Sequence, residues 1–232
     1  MRKLLLFLFS HRLLAIARWD IHFLGVRLRN ALTGQAHKAR LFASTRKAPV
    51  LLNLGSGPRG IDDGHWVNVD GYPDKNVQYL IDFNRPLPFA DRSFDGVFCE
   101  HVLEHFTLEE GERVAKEVFR VLRPGGAFRV IVPDAAWVME AYFRNPEELI
   151  AYRGGHLETG AEAVNLFFRQ RYEHQFLYDY ITLSRLLERM GFTEIVRAEF
   201  GQSSHLPEIA IDDPKYIRES LYVEARKQIE DR

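Results

Sequence analysis

The sequence predicts an α/β fold built on a mainly parallel, doubly wound sheet. Short apolar runs alternate along the chain with segments of helical spacing, and several of these runs end in glycine, proline or an acidic residue. The length of 232 residues, with 46% hydrophobic and 27% charged residues, suits one globular domain with appended elements. We divide it into a basic helical arm over residues 1–48 and a domain over residues 49–232.

Seven apolar runs are predicted to be the strands of this sheet. The first, Val50–Leu54, ends in Gly-Ser-Gly-Pro, and the fifth, Phe128–Val132, ends in Pro133-Asp134. The others are Trp66–Asp70, Val77–Ile81, Phe94–Cys99, Thr193–Phe200 and Leu221–Ala225. Because parallel strands bring their carboxyl ends to one edge of the sheet, we expect a ligand crevice at that edge.

Helical spacing marks two segments of the domain. Thr107–Leu122 has its valines on one side and stops at Arg-Pro-Gly-Gly, and Tyr180–Met190 is ended by Gly191. Residues 144–175 are mixed, aromatic and polar, which indicates an insertion after the fifth strand.

Charge is distributed unevenly along the chain. Residues 1–49 contain ten lysines and arginines and one acid, Asp20, whereas the remainder contains 21 basic and 31 acidic residues. We expect the arm to pack on the body with its arginines in solvent; the alternative is a basic helix lying on an anionic membrane surface. The apolar run Leu4–Phe9 is too short for a spanning helix, and His11-Arg12 follows it. We therefore expect a cytoplasmic protein, with peripheral membrane contact as the alternative.

The loop after the first strand has the spacing G-x-G-x-x-G, with glycines at Gly55, Gly57 and Gly60. Glycine lets the backbone turn sharply there and approach a ligand closely. A strand followed by a simple turn is the alternative interpretation.

Two acids end the next two strands. Asp70 is placed to accept the hydroxyl groups of a ribose, and Asp82, beside Phe83, to accept from an adenine amine while the ring packs on the base. Each acid alone could be a helix cap or a loop residue. Together, after a glycine loop, they predict an adenosine site.

These motifs resemble the class I S-adenosylmethionine-dependent methyltransferases, in particular the branch of small-molecule "type 11" enzymes. The similarity rests on Val50–Gly57, Val67–Asp70, Ile81–Phe83, Leu87–Phe89, Ser93–Asp95, Glu100–His105 and Phe119–Gly126. The ending from Tyr172 to Phe192 is similar to a bacterial subgroup often associated with glycan biosynthesis. The resemblance implies a Rossmann-like, seven-stranded fold and S-adenosyl-L-methionine as cofactor. It implies that the cofactor is bound by Asn53, Gly55, Ser56, Gly57, Asp70, Asp82, Phe83 and Glu100.

Two departures from the family pattern bear on the site. Asn53 stands where the family often has an acid, so a weaker or water-mediated contact toward the methionine amino group is expected. Only twelve residues separate Gly57 from Asp70, so the first crossover helix is expected to be short or replaced by a loop, with the arm covering the gap. The short spacing also argues against a nicotinamide-binding domain, in which the acid falls about 20 residues onward.

Three side chains are candidate catalytic residues. His101 follows the fourth strand, where this fold presents the methyl group, and is the first candidate for a general base. His174, in the insertion, could reach over the acceptor, and Asp134 could orient a substrate or a base. The alternatives are a structural role for each histidine and helix capping for Asp134.

The segment from His101 to His105 also spells H-x-x-E-H, an inverted zinc-peptidase signature. On a helix, the two histidines would share a face and could hold zinc. The same letters are ordinary in the methyltransferase family at this place, so we expect no metal.

The predicted function is methyl transfer to a small-molecule or glycan acceptor, with O-methylation as the expected reaction. Arginines and aromatic rings in the insertion suit a sugar, a phosphate or a carboxylate. No nucleic-acid partner is expected, because the body is acidic. The alternatives are a non-catalytic S-adenosylmethionine-binding interaction protein and an NAD-dependent oxidoreductase.

Overall fold

The computed structural model describes residues 11–154 and 156–229 of the chain. Its strands are β1 Leu51–Leu54, β2 Trp66–Asp70, β3 Tyr79–Leu80, β4 Phe94–Glu100, β5 Leu122–Pro133, β6 Phe192–Arg197 and β7 Ser220–Lys227. Its α-helices are α1 His11–Thr33, α2 Gln35–Ser44, α3 Leu108–Val121, α4 Ala135–Arg144, α5 Pro146–Arg153, α6 Gly160–Arg169 and α7 Tyr180–Arg189.

The seven strands form one sheet in the order β3-β2-β1-β4-β5-β7-β6. β1 pairs in parallel with β2 and β4, and β4 pairs in parallel with β5. β7 runs antiparallel to both β5 and β6. Strand order reverses at β1 and β4, so a crevice opens at their carboxyl ends. The predicted Rossmann-like, mainly parallel sheet is confirmed.

Two elements differ from the prediction. β3 is only two residues long, Tyr79–Leu80, within the predicted run. The Arg-Pro-Gly-Gly segment after α3 lies inside β5, and not in a turn before it. The register with β4 shifts there, from Phe94 opposite Leu122 to Gly96 opposite Ala127. The extra residues therefore form a bulge, since Gly125 takes a positive φ of 79°.

The arm takes the place of the missing first crossover helix. Between β1 and β2 the only helical turn is a single 3₁₀ turn, Gly57–Arg59, within the described chain. Ala39 and Ala43 of α2 are buried in the main core, and Asn30 of α1 donates to the carbonyl of Leu80 at 2.8 Å. The structure thus shows the arm packed on the body, as expected.

The insertion after β5 forms a separate small helical unit. Helices α4, α5 and α6 surround their own core of Val138, Leu149, Ala163 and Phe167. Asp134 caps α4, because its Oδ1 accepts from the backbone N–H of Ala136 at 2.9 Å. This unit forms one wall of the carboxyl edge of the sheet.

A buried ion network fastens the segment between β6 and β7 to the sheet. The Arg129 guanidinium on β5 donates to Asp212 through Nε at 2.7 Å and to Glu224 through Nη1 at 2.7 Å. It also donates to the carbonyls of Gln202 and Glu199 at 2.7 and 2.9 Å. All three charged side chains are 0% exposed, so the network depends on complete pairing.

We expect Arg129→Met to lower the free energy of unfolding by about 3–5 kcal/mol, because it leaves two buried carboxylates without a cation. Urea denaturation monitored by circular dichroism measures the change. Arg113→Met is the control: Arg113 lies on the exposed surface of α3 beside Glu109. Equal free energies of unfolding for Arg129→Met and Arg113→Met would show that the buried network does not stabilise the fold.

Candidate functional site

Two of the cavities at the carboxyl edge of the sheet meet beyond the end of β4. The first, of about 380 Å³, lies over the ends of β1 and β2 and is called here the aromatic cavity. Aromatic rings on its wall are Trp19, Phe23, Tyr72, Phe83 and Phe106. The second, of about 500 Å³, lies between β4, the insertion and the segment before β7 and is called the polar cavity. Both cavities are lined by His101 and His105, so they meet at these two side chains.

Gly55 is required at the floor of the aromatic cavity. Its φ is +81°, and a Cβ atom added there would lie 2.1 Å from Cγ2 of Val102. Gly57 also has a positive φ, +46°, but an added Cβ would meet nothing within 4 Å. Gly55 therefore allows both the turn and the close packing of Val102, whereas Gly57 allows only the turn.

Asp70 organises the loop beside it. One carboxylate oxygen accepts from the backbone N–H of Gly57 at 2.8 Å, and the other accepts from that of Tyr72 at 2.8 Å. A carboxylate oxygen accepts more than one hydrogen bond, so Asp70, which lines the cavity, can also receive hydroxyl groups from a ligand.

Helix α1 forms the roof of the aromatic cavity. Phe23 is buried against Gly71, and Nε2 of His22 lies 2.8 Å from the carbonyl oxygen of Gly71. The His22 ring stacks on Tyr72 at a centroid distance of 4.1 Å. No local sequence pattern indicated that this helix would supply the roof, because the contacts join residues 48 or more positions apart.

The two residues predicted to contact adenine, Asp82 and Phe83, lie in different surroundings. Phe83 lines the aromatic cavity and packs edge-on against Phe106. Asp82 is buried on the other side of the strand end, where Oδ2 lies 3.6 Å from Nη1 of Arg27 and Oδ1 accepts from the N–H of Asn84. Asp82 does not line the aromatic cavity.

Three other predicted cofactor residues lie beneath the cavity or beside it. Asn53 is buried in β1 and donates to Asn68 at 3.4 Å. Ser56 is buried in the glycine loop, and its hydroxyl group has no hydrogen-bond partner within the described chain. Glu100 accepts from Arg59 at 2.6 Å and from the backbone N–H of Asp213 at 2.9 Å. Burial raises the pKa of Glu100, although these two donors oppose the shift.

His101 lies at the junction of the two cavities in a strained conformation. Its φ is +52°, which is uncommon for a residue other than glycine. Nδ1 lies 3.0 Å from Oε1 of Glu104, and Nε2 lies 3.0 Å from the hydroxyl of Ser220. Burial lowers the pKa of His101, but the hydrogen bond and charge of Glu104 outweigh this and raise it above the ordinary value.

The polar cavity holds several ionisable side chains that come from distant parts of the chain. Arg153 and Glu219 approach to 3.4 Å, and Tyr216 packs on the ring of His101 at 4.1 Å. Burial, and then the neighbouring Glu219, raise the pKa of Tyr152 to about 12. Tyr216 and Glu219 were missed by sequence reasoning because they lie in an irregular segment without a motif.

The candidate catalytic residues are only partly brought together. His174 lines the polar cavity with His101. Nδ1 of His174 lies 2.7 Å from the carbonyl oxygen of Phe167, and burial lowers the pKa of the ring. Asp134, in contrast, caps α4 and is not among the residues that line either cavity.

Comparison with known proteins connects this region to methyltransferases. A family model described as a methyltransferase domain matches residues 69–130, the segment from the end of β2 into β5. Over 100 residues the chain is 38% identical to the sterol 24-C-methyltransferase of Yarrowia lipolytica, which covers 42% of this chain and 24% of that protein. Over 76 residues it is 34% identical to the probable tRNA methyltransferase 9B of Mus musculus, covering 32% of this chain and 16% of that protein.

A solved structure of similar architecture is the phosphoethanolamine N-methyltransferase 2 of Haemonchus contortus, in complex with S-adenosyl-L-methionine. It is 14% identical, has a TM-score of 0.49, and the alignment covers 84% of this chain and 52% of that one. The chain thus spans about a quarter or less of the curated relatives and about half of this structure. The segment matched in sequence carries Asp70, Asp82 and His101.

We expect Gly55→Ala to destabilise the protein by more than Gly57→Ala. Both substitutions place alanine at a positive φ, which costs about 1–2 kcal/mol, but only the first forces Val102 to move. Urea denaturation of both variants measures the difference.

The variant Gly55→Ala/Val102→Ala isolates the cause of that difference. If the clash with Val102 is responsible, the double variant loses less stability than the summed losses of Gly55→Ala and Val102→Ala. If the losses of stability are additive, the clash with Val102 is not the cause of the difference.

Proposed function

We propose that this chain is an S-adenosylmethionine-dependent methyltransferase with a small-molecule or glycan acceptor, methylated on oxygen. The observation that carries the proposal is the junction of the two cavities at His101, next to a glycine loop and Asp70. The match of residues 69–130 to a methyltransferase domain supports the same reaction class.

The residues of the aromatic cavity fit the proposed cofactor. Asp70 offers carboxylate oxygens to a ribose, and the rings of Phe83 and Phe106 offer apolar faces to a base. Gly55 lines the cavity with backbone atoms only, and the space of its missing side chain is occupied by Val102. When bound, S-adenosylmethionine supplies a methyl carbon that an acceptor lone pair attacks while the carbon–sulfur electron pair passes to sulfur.

The polar cavity supports a hydroxylated acceptor. Arg153, Lys215 and Glu219 offer charged hydrogen-bond groups, and Tyr216 offers a ring face. Such a mixture suits sugars, which present hydroxyl groups at their edges and apolar C–H faces. We assign to Nε2 of His101, whose neighbour is the Ser220 hydroxyl at 3.0 Å, the role of accepting the proton of the acceptor.

We expect Asp70→Ala to weaken the binding of S-adenosylhomocysteine by about tenfold or more, equivalent to about 1.4 kcal/mol. Isothermal titration calorimetry measures the affinity, with NAD titrated in parallel. Asp74→Ala is the matched control, because the Asp74 carboxylate accepts only from the N–H of Lys75 among the described hydrogen bonds and lies outside the cavity.

Two results would overturn the assignment of the cofactor site: no binding of S-adenosylhomocysteine by the unaltered protein, or equal binding by Asp70→Ala. Binding of NAD alone would favour the oxidoreductase alternative. Tight adenosyl binding without transfer of labelled methyl to any sugar, sugar phosphate or lipid-linked sugar would favour a non-catalytic binding protein.

We also infer that the enzyme is cytoplasmic and contacts an anionic membrane through the outer face of α1. Ile21, Leu24, Leu28 and Leu32 are 49–86% exposed and recur at helical spacing. Arg18 and Arg29 of the same helix are exposed, and each basic group near an anionic surface contributes about 1 kcal/mol. Among residues 11–154 and 156–229, no helix has the length and apolar character needed to cross a bilayer.

We expect Leu24→Gln/Leu28→Gln to reduce cosedimentation with vesicles containing phosphatidylserine by about tenfold, because the variant removes apolar area that would enter the interface. Ile181→Gln is the control, as Ile181 is 60% exposed on α7. Binding that is equal for the double variant and the unaltered protein, or no binding by either, would refute membrane contact through α1.

A further inference from the structure

Three potential metal ligands meet where the two cavities join. Glu104, His105 and His174 each offer one atom, and these atoms all lie within 4.8 Å of one another. Glu104 is 0% exposed and His174 is 7% exposed. Backbone hydrogen bonds hold the two segments together, because the N–H groups of Gln175 and Phe176 both donate to the carbonyl oxygen of Glu104.

Both histidines are oriented as metal-binding histidines usually are. Nδ1 of His105 lies 3.1 Å from the carbonyl oxygen of Glu173, and Nδ1 of His174 lies 2.7 Å from that of Phe167. A carbonyl oxygen can only accept, so each Nδ1 carries a proton. In the neutral ring the lone pair is then on Nε2. A backbone carbonyl in this outer position fixes the tautomer and ring orientation of ligating histidines.

Glu104 has one oxygen in use and one without a partner. Oε1 accepts from His101 Nδ1 at 3.0 Å. Oε2 is fully buried, and no donor in the described part of the chain is within hydrogen-bond distance of it. A buried carboxylate oxygen without a donor is costly, and such an atom calls for an explanation such as an ion.

We propose that Glu104 Oε2, His105 Nε2 and His174 Nε2 bind a divalent transition-metal ion, with Zn²⁺ as the best fit. Imidazole and carboxylate are ligands that zinc prefers, and two histidines with one glutamate leave a position open for a further ligand. All three residues line the polar cavity, so the open position is accessible from the side assigned to the acceptor.

This set of ligands differs from the one in the sequence signature. The signature pairs His101 with His105, whereas the structure places His101 in the outer position, where it holds Glu104. His174, 69 positions beyond His105, supplies the second imidazole. The motif itself is expected to be metal-free, and the site proposed here uses a different set of ligands, which the insertion completes.

A role for the ion in acceptor binding rests on the proposed methyltransferase function, whereas metal binding itself does not. A hydroxyl group coordinated by zinc would lose its proton more readily, as water does on this ion. The test therefore measures metal binding directly.

Metal-stripped, untagged protein is titrated with ZnCl₂ in a calorimeter. We expect one ion per chain with a dissociation constant below about 1 μM, and about 100-fold or greater loss of affinity in Glu104→Gln and in His174→Gln. His205→Gln is the matched control: His205 is also bonded to a backbone carbonyl, that of Glu194 at 2.8 Å, but lies away from the cluster. The control should bind zinc as the unaltered protein does.

Circular dichroism of each metal-free variant verifies folding, and a Co²⁺ titration of the unaltered protein gives a second measurement that needs no variant. Four- or five-coordinate Co²⁺ absorbs visible light far more strongly than the hydrated ion. The proposal is overturned if the unaltered protein binds neither ion stoichiometrically, or if folded Glu104→Gln and His174→Gln bind zinc with unchanged affinity. A parallel titration with S-adenosylhomocysteine separates the two proposals, because its failure alone leaves zinc binding intact.

Discussion

The buried guanidinium of Arg129 fixes the segment on which the polar cavity depends. By donating to Asp212, Glu224 and two backbone carbonyls, it ties the irregular chain between β6 and β7 to the back of β5. That chain then delivers Tyr216 to His101, and β7 begins at Ser220, beside Nε2 of the same histidine. Together with the buried side chain of Ile209, this anchor holds the side chains of the loop in a fixed position.

The short connection after β1 is the second constraint. A chain of twelve residues between Gly57 and Asp70 cannot hold a full crossover helix, so one side of β1 and β2 would remain uncovered. The arm covers it through Ala39 and Ala43, and the same packing brings Phe23 onto Gly71. The arm, which lies where a crossover helix would otherwise be, therefore both completes the core and encloses the aromatic cavity.

Local patterns predicted the sheet, the glycine loop and the acids that follow β2 and β3, because each is specified within a few residues. They did not predict the surroundings of Asp82 and Glu100, whose partners Arg27 and Arg59 lie 55 and 41 positions away. The position of His174 beside Glu104 depends equally on the packing of the insertion. Pairings across elements follow from tertiary packing, which a single sequence does not display.

Strain at His101 connects these long-range constraints to the chemistry. A histidine at a φ of +52° is maintained only when its surroundings compensate for the cost, and both ring nitrogens do have partners, Glu104 and Ser220. Glu104 comes from the turn after β4, and Ser220 comes from the segment that Arg129 anchors. The side chain that separates the two cavities is therefore held from both sides, which prevents it from turning into either one. The proposed methyl transfer requires a side chain held in this way at the junction of the cavities, since donor and acceptor must meet at one place.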